Sequence, residues 1–142
     1  MRFFLYEYGN GVELGMTNED DIQNVISRVV PKDVDVLILD SSEIPIEPQE
    51  TWYIEDGKIK IDQVKLIEFN RKNMPQLTPI EFDIKLNNAG LYDTVQDLIK
   101  DSFELRIAYN RATFFNRTSP FIDEARIALG LTDEQVDAMW MN

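Results

Sequence analysis

Carboxylate side chains are the residues of this chain with the most obvious chemical potential. Asp33 and Asp35 lie two positions apart, a spacing that places both side chains on one face of a strand. A site for a hard cation, or a two-carboxylate hydrolase, would need such a pair. A calcium loop needs more ligands and a glycine at its turn, and neither accompanies this pair. The run Glu19-Asp20-Asp21 is explained by the preference of helix N-termini for negative charge. We therefore predict no metal site and no catalytic residue.

The composition argues against most enzyme chemistry. The chain has no cysteine and no histidine. This removes thiolate nucleophiles and disulfides, together with the commonest general base and the commonest transition-metal ligand. No glycine-rich phosphate loop or serine nucleophile motif is present. We predict a protein that is not an enzyme and uses no cofactor.

The net charge restricts the possible partners. The chain carries 26 acidic and 14 basic residues, a formal charge of −12, and the excess of acids is found in residues 1–76 and in residues 77–142. Binding to nucleic acid depends on Lys and Arg neutralising phosphates, and anionic membranes repel an acidic surface. No run approaches the roughly 20 apolar residues that span a bilayer. We predict neither a nucleic acid nor a membrane as partner.

The acids are densest between residues 33 and 56, where no Lys or Arg occurs. Pro45 and Pro48 disfavour a helix in this segment and predict an extended loop. One interpretation is a solvated surface loop held rigid by proline. The other is a loop that docks on a basic groove of another protein, with little entropy lost on binding. The acids that would make this contact are Glu43, Glu47 and Glu50.

Residues 1–73 are predicted to form a small α/β subdomain. Residues 3–8 are rich in aromatic side chains and residues 35–40 are mostly apolar, so both segments are typical of strands. Between them we expect a helix that Thr17 or Asn18 caps. The pair Asp56-Gly57 separates two β-rich runs and predicts a hairpin over residues 52–61. The predicted order is strand, helix, strand and hairpin.

Residues 77–142 carry helical signals only. Thr78-Pro79-Ile80-Glu81 is a capping box with proline at the first helical position, Ser119-Pro120 is a similar start, and Thr132 with Gln135 is a second capping box. Residues 103–115 form a further helical run. We predict a bundle of four or five short helices after a linker at residues 73–76. The fold class is therefore α+β.

The arginines of this second half are predicted to be structural. Such arginines usually pair with acids on neighbouring helices or lie over aromatic rings. We expect this of Arg106, Arg111, Arg117 and Arg126, with Arg117 organising the turn at Ser119.

Two groups of large side chains are candidates for contact with a partner. The aromatic strand must have one face in the core, and its other face must be covered either by the helical half or by another protein. The apolar segment Met139-Trp140-Met141 either docks internally, or contacts a partner or a second copy in a homo-oligomer. The candidate partner-binding residues are Tyr6, Tyr8, Trp52, Met139, Trp140 and Met141.

Several segments of the second half resemble a known group of proteins. They are Leu77-Thr-Pro-Ile-Glu-Phe82, Leu91-Tyr-Asp-Thr-Val95, Arg106-Ile-Ala-Tyr109, Phe114-Phe-Asn-Arg-Thr-Ser-Pro120 and Leu129-Gly-Leu-Thr-Asp-Glu-Gln-Val-Asp137. This pattern resembles the helical tail of small tailed-bacteriophage proteins encoded beside tail and tail-fibre genes. Trp52 before the Glu55-Asp56-Gly57 hairpin is similar to tail fibre assembly proteins.

The resemblance implies a non-enzymatic phage protein that assists a receptor-binding fibre, or is a minor component of the tail. Its partner would be a tail or tail-fibre subunit. Its location would be the host cytoplasm during infection, and the virion tail if it remains there. The acidic loop keeps a second hypothesis open, an acidic phage inhibitor that occupies the basic groove of a nucleic-acid-binding host defence protein.

Overall fold

The structure is a computed structural model that describes all of residues 1–142. The chain forms two compact units, Met1–Glu68 (unit 1) and Phe69–Asn142 (unit 2). The fold is α+β, as predicted: a small antiparallel sheet with one helix comes first, and a cluster of helices follows. The boundary lies inside helix α2 (Gln63–Lys72), a few residues before the predicted linker.

Unit 1 contains five strands and one helix of its own. They are β1 (Arg2–Tyr8), β2 (Gly11–Thr17), α1 (Ile22–Val29), β3 (Val36–Leu39), β4 (Trp52–Glu55) and β5 (Lys58–Ile61). The first three strands form an antiparallel sheet in the order β2-β1-β3. Strands β4 and β5 form a separate two-stranded hairpin.

Both faces of the three-stranded sheet are covered within unit 1. Alternation along β1 sends Phe4 to one face, where it packs with Ile22 and Val25 of α1. Leu5 points to the other face, where it packs in a cluster with Trp52 of the hairpin. This corrects the expectation that the helical half or a partner covers the second face of the aromatic strand. The layers are hairpin, sheet and helix.

The hairpin turn is confirmed. Asp56 and Gly57 have φ values of 51° and 69°. A two-residue turn with both central residues at positive φ matches the right-handed twist of the strands that it joins. Asp tolerates this conformation and Gly adopts it without steric cost, which explains the pair.

Helix α1 starts later than predicted. Strand β2 continues to Thr17, so neither Thr17 nor Asn18 caps the helix. The cap is Asp21, whose Oδ1 accepts a hydrogen bond of 3.1 Å from the backbone N–H of Asn24. Glu19 lies before the helix and forms an exposed ion pair with Arg28, at 2.8 Å.

Unit 2 contains the last four residues of α2 and five further helices. They are α3 (Pro79–Asn88), α4 (Tyr92–Asp101), α5 (Phe103–Arg111), α6 (Pro120–Ala128) and α7 (Asp133–Met141). Both predicted capping boxes are confirmed: the side chains of Thr78 and Thr132 accept from the N–H three residues on. Ser119 precedes α6 without a side-chain capping bond.

The predicted helix over residues 103–115 is too long. It ends at Arg111, and Phe115 instead forms an isolated antiparallel bridge with Leu77 through two hydrogen bonds of 2.8 and 2.9 Å. The ring of Phe115 stacks on Phe82 at a centroid distance of 4.2 Å. Both rings belong to the core of unit 2, which also contains Trp140.

Candidate interaction surface

The acid pair that was considered as a possible cation site lies in an open groove. Asp33 and Asp35 line it together with Glu7, Leu37 and Ile54. Asp33 adopts a left-handed backbone conformation with φ of 65°. No group of three or more His, Cys, Asp or Glu side chains is arranged to hold a metal ion.

The core of unit 2 has no room for a substrate. The apolar space among Phe82, Leu86 and Ile122 measures about 30 Å³. A cavity of that size admits about one water molecule, whereas pockets for small molecules measure about 300–1,000 Å³. The space inside this core is therefore filled by side chains and is too small to hold a ligand.

Arginines and aspartates form a cluster between α2, α7 and the segment before α6. Arg117 is 5% exposed, and its Nε and one terminal nitrogen contact Asp137 and Asp133 at 2.7 and 2.9 Å. Arg71 contacts Asp137 at 2.9 Å, and Arg126 contacts Asp133 at 3.3 Å. Every buried polar side-chain atom of the chain has a hydrogen-bond partner. The cluster is therefore a satisfied structural network.

The network confirms the predicted pairing with acids for Arg117 and Arg126, whereas Arg111 is exposed and forms no ion pair. It also corrects one detail. Arg117 attaches to α7 rather than organising the turn at Ser119. The hydrogen bond from Arg117 lowers the pKa of Asp133, and the nearby charges of Arg71 and Arg126 act in the same direction. The role of Arg71 was missed, because its partners lie more than 60 residues away in the sequence. Arg106 follows the aromatic alternative and lies over the Phe103 ring at 5.5 Å.

A second, half-buried polar network was also missed. The hydroxyl of Tyr109 donates to a carboxylate oxygen of Asp83 and accepts from the side-chain amide of Gln96 at 3.1 Å. Burial, and then the bond to Asp83, raise the pKa of Tyr109 well above its usual value. A phenol held neutral in this way donates a hydrogen bond to its carboxylate partner. The network of Tyr109, Asp83 and Gln96 therefore joins α5, α3 and α4.

Three of the predicted partner-binding residues are core residues. Trp52 is buried, and its indole donates to the carbonyl of Glu47 at 2.9 Å. Met139 and Trp140 are buried in unit 2, where the indole of Trp140 donates to the carbonyl of Pro75 at 2.8 Å. Their assignment to partner contact is corrected to packing, because a buried side chain presents no surface to another protein.

The other three candidates differ from one another. Tyr6 is half-buried and packs with Phe4 against α1, at a ring distance of 6.5 Å. Tyr8 and Met141 are exposed. Each of these two is a single apolar side chain at the end of its element, and scattered exposures of this kind are normal on protein surfaces.

The acidic loop is folded rather than extended. Two short 3-10 turns, Ser41–Glu43 and Gln49–Thr51, shape it. The carboxylate of Glu43 accepts from the N–H of Asp40 at 2.8 Å, so this acid closes a turn. Glu47 is half-buried and supplies the carbonyl that Trp52 binds, whereas Glu50 is exposed. Of the three predicted binding acids, Glu50 has the clearest access to a partner.

Two helices of unit 2 each expose a pair of large apolar side chains. Ile80 and Ile84 of α3 are 74% and 53% exposed, and Phe103 and Ile107 of α5 are 63% and 37% exposed. Each pair is spaced i, i+4, so its members lie on the same helix face. We call these two sets the exposed apolar pairs. The buried residues Phe82 and Leu86 of α3 have the same i, i+4 spacing, so periodicity alone does not separate the two faces of this helix.

Neither a protein-family model, nor a characterised protein, nor a solved structure matches this chain. None of its helices combines the length and the apolar character needed to cross a bilayer.

Proposed function

We propose that this chain is a non-enzymatic bacteriophage protein that binds a tail or tail-fibre subunit, as an assembly chaperone or as a minor tail component. The exposed apolar pairs on α3 and α5 carry the binding part of the proposal. The resemblance of residues 77–140 to small phage tail-cluster proteins motivates the choice of partner. The protein would act in the host cytoplasm during infection, or remain in the virion tail.

The exposed apolar pairs favour a protein partner on energetic grounds. Burying a Leu, Ile or Phe side chain gains about 1.5–3 kcal/mol relative to leaving it in water. Two such side chains on one helix face are a typical anchor for a groove or a second helix. The pairs therefore offer more binding energy than isolated surface residues such as Ile127 of α6.

The charge distribution suits a chaperone. Unit 1 has 15 acidic and 6 basic residues, and unit 2 has 11 and 8. A strongly negative unit opposes self-association, since like charges repel. Such a protein stays dispersed while its apolar helix faces remain free for a subunit that has yet to assemble.

Co-expression tests this proposal. The chain is expressed with a tail-fibre subunit of the same phage, and soluble fibre and co-purification are measured. We expect the double variant Phe103→Ser/Ile107→Ser to lose the gain in soluble fibre. The matched control is Ile46→Ser, because Ile46 is 99% exposed and lies in unit 1.

Two results would contradict the proposal: no effect of the wild-type chain on fibre solubility, or an equal effect of the double variant with its fold intact. Mass spectrometry of purified particles then separates the two versions of the function. A chaperone is absent from the particle, and a minor tail component is present.

The acidity of unit 1 favours a second candidate, an acidic phage inhibitor that binds a basic, nucleic-acid-binding host defence protein. Residues 33–57 contain eight acids and no Lys or Arg. Such binding would weaken steeply with salt, because screening shortens the reach of exposed charges. Capture of host proteins at low and high salt tests it. If Glu50→Lys captures the same proteins with unchanged affinity, the acidic loop is not the contact.

A further inference from the structure

We propose that the outer edge of β3 is a docking edge, on which an extended basic segment of another protein adds as a further strand. This inference rests on the part of the proposed function that concerns protein binding. It concerns unit 1, whereas the exposed apolar pairs lie in unit 2, so the two can fail independently.

The sheet order leaves β3 with one neighbour. In the order β2-β1-β3, Val36–Leu39 pair with Phe3–Tyr6 of β1 on one side only. Backbone N–H and C=O groups of a strand point alternately to its two sides. Half of those in β3 therefore point away from β1. Val36–Leu39 form no backbone hydrogen bond outside the sheet.

The opposite edge of the same sheet, strand β2, is partly covered by another segment of the chain. The side-chain amide of Gln49 donates to the carbonyl of Val12 in β2 at 2.7 Å. This contact occupies part of the β2 edge, and it comes from the folded acidic loop. The sheet thus has one edge that its own chain partly covers and one that it leaves open.

The residues of β3 do not oppose the addition of a strand. Proteins usually protect an open edge by a short strand, a charged side chain, a proline or a bulge, and of these β3 has only its length of four residues. The sequence Val36-Leu-Ile-Leu39 contains no charge and no proline, and its pairing with β1 runs without interruption. Ile38 is 48% exposed and would contact a side chain on an added strand.

The charges around β3 select a basic occupant. Asp35 precedes the strand and Asp40 follows it, and both are exposed. Asp33 and Asp35 also line, with Leu37 of β3, a groove of about 450 Å³ whose other wall is formed by Glu7 and the hairpin. The Glu7 carboxylate accepts from the N–H of Ile54, so Asp33 and Asp35 are the acids of this groove that are open to a partner. A second copy of this chain would bring the same negative charge to the contact, so repulsion disfavours it. A segment that alternates Lys or Arg with apolar residues can form backbone hydrogen bonds with β3 and, at the same time, ion pairs with the acids beside it.

Two synthetic peptides test the edge. Lys-Val-Lys-Val-Lys-Val-Lys has the pattern that the edge selects. Lys-Pro-Lys-Pro-Lys-Pro-Lys keeps the charge but lacks N–H groups at alternate positions and resists strand pairing. We expect the first peptide to bind and to protect outward-facing amides of β3 from hydrogen exchange, and the second to bind at least about tenfold more weakly. Equal binding of both peptides would mean that charge alone acts, and would overturn the proposal.

Matched variants locate the contact. Ile38→Lys places a positive charge on the edge and should weaken the valine peptide about tenfold, whereas Ile46→Lys adds the same charge at an exposed loop position and should not. Asp35→Asn, which leaves the strand residues unchanged, should also weaken binding. Circular dichroism shows whether each variant folds.

Equal effects of Ile38→Lys and Ile46→Lys on peptide binding would refute the claim that the peptide contacts the edge of β3. Analytical sedimentation tests whether a second copy of this chain occupies the edge instead. If β3 amides are protected without peptide in a concentration-dependent dimer, a second copy occupies the edge and the assignment to a foreign segment is overturned. Fibre solubility is unaffected by these outcomes and reports on the exposed apolar pairs alone.

Discussion

The indole Nε1 of Trp140 donates a 2.8 Å hydrogen bond to the carbonyl oxygen of Pro75. The Trp140 ring packs against Phe82 at a centroid distance of 5.8 Å and is fully buried. These contacts attach α7 to the segment that precedes α3. The apolar end of α7 is therefore a core element of unit 2.

Trp140→Phe tests this attachment. Phenylalanine keeps an aromatic ring but has no N–H, so the Pro75 carbonyl loses its partner. Trp140 is fully buried, so the smaller ring leaves a cavity, and together with the lost hydrogen bond we expect the free energy of unfolding to fall by about 1–3 kcal/mol. Chemical denaturation measures it. Met141→Ala is the control, because Met141 is exposed, and it should change stability by less than about 0.5 kcal/mol.

Gly15→Ala should destabilise unit 1. Gly15 lies opposite Phe4 in the register of β1 and β2, and a Cβ at this position would overlap the Phe4 ring. Phe4 is buried against α1, so its ring has little freedom to move, and overpacking of this kind costs about 1–3 kcal/mol. Gly11→Ala is a control in the same strand, since an added Cβ there meets nothing within 4 Å. Equal stability of the two variants would show that the Phe4 ring adjusts without cost.

The two classes of arginine ion pair should differ in their contribution to stability. Arg117→Ala removes the buried guanidinium that binds Asp133 and Asp137. Both aspartates are partly exposed and keep Arg126 and Arg71 as partners, so we expect a cost of about 2 kcal/mol, below the about 3–5 kcal/mol of a fully buried pair. Arg28→Ala removes an exposed pair with Glu19 of similar contact distance, worth about 0–1 kcal/mol. Thermal and chemical unfolding of both variants provide the comparison. A cost for Arg117→Ala as small as that for Arg28→Ala would mean that Arg71 and Arg126 compensate.

Acid should destabilise unit 2 partly through Asp133. The hydrogen bond from Arg117 holds the pKa of Asp133 in the folded protein below the ordinary value of 3.8. A lowered folded pKa contributes stability that is present above pH 3.8 and is lost as the pH falls through the folded pKa. Denaturation midpoints measured across this acidic range should therefore fall less steeply for Asp133→Asn. Asp20→Asn removes an exposed carboxylate with no ion-pair partner and should keep the wild-type slope.

Much of the fold could be predicted from local sequence. The capping boxes at Thr78 and Thr132 and the Asp56-Gly57 turn are short-range signals, since the atoms that bond lie within about four residues of each other. The α+β order follows from these signals and from the change in hydrophobic periodicity. The start of α1 was misplaced because Asp21 and the earlier polar residues offer similar caps, and only the length of β2 decides between them.

The candidate surfaces were much less predictable. Tryptophan is a common anchor in binding sites, but the indoles of Trp52 and Trp140 each donate a hydrogen bond to a backbone carbonyl of their own unit and pack in its core. Ile80, Ile84 and Phe103 are of residue types that usually lie in the core, but in the structure they are exposed. A large apolar residue has the same sequence signature in both situations, so burial depends on which helix face meets a neighbour.

The sequence by itself determined the absence of cysteine and histidine, the acidity of the chain, and the positions at which most helices and turns begin. Composition and short-range hydrogen bonds carry that information, and neither depends on distant residues. Tertiary structure alone decided that both faces of β1 are covered, that Arg71, Arg117 and Arg126 share two aspartates of α7, and that one edge of the sheet stays open. Each of these depends on pairing between segments that are far apart in the chain, where many partners are chemically equivalent and only geometry selects one.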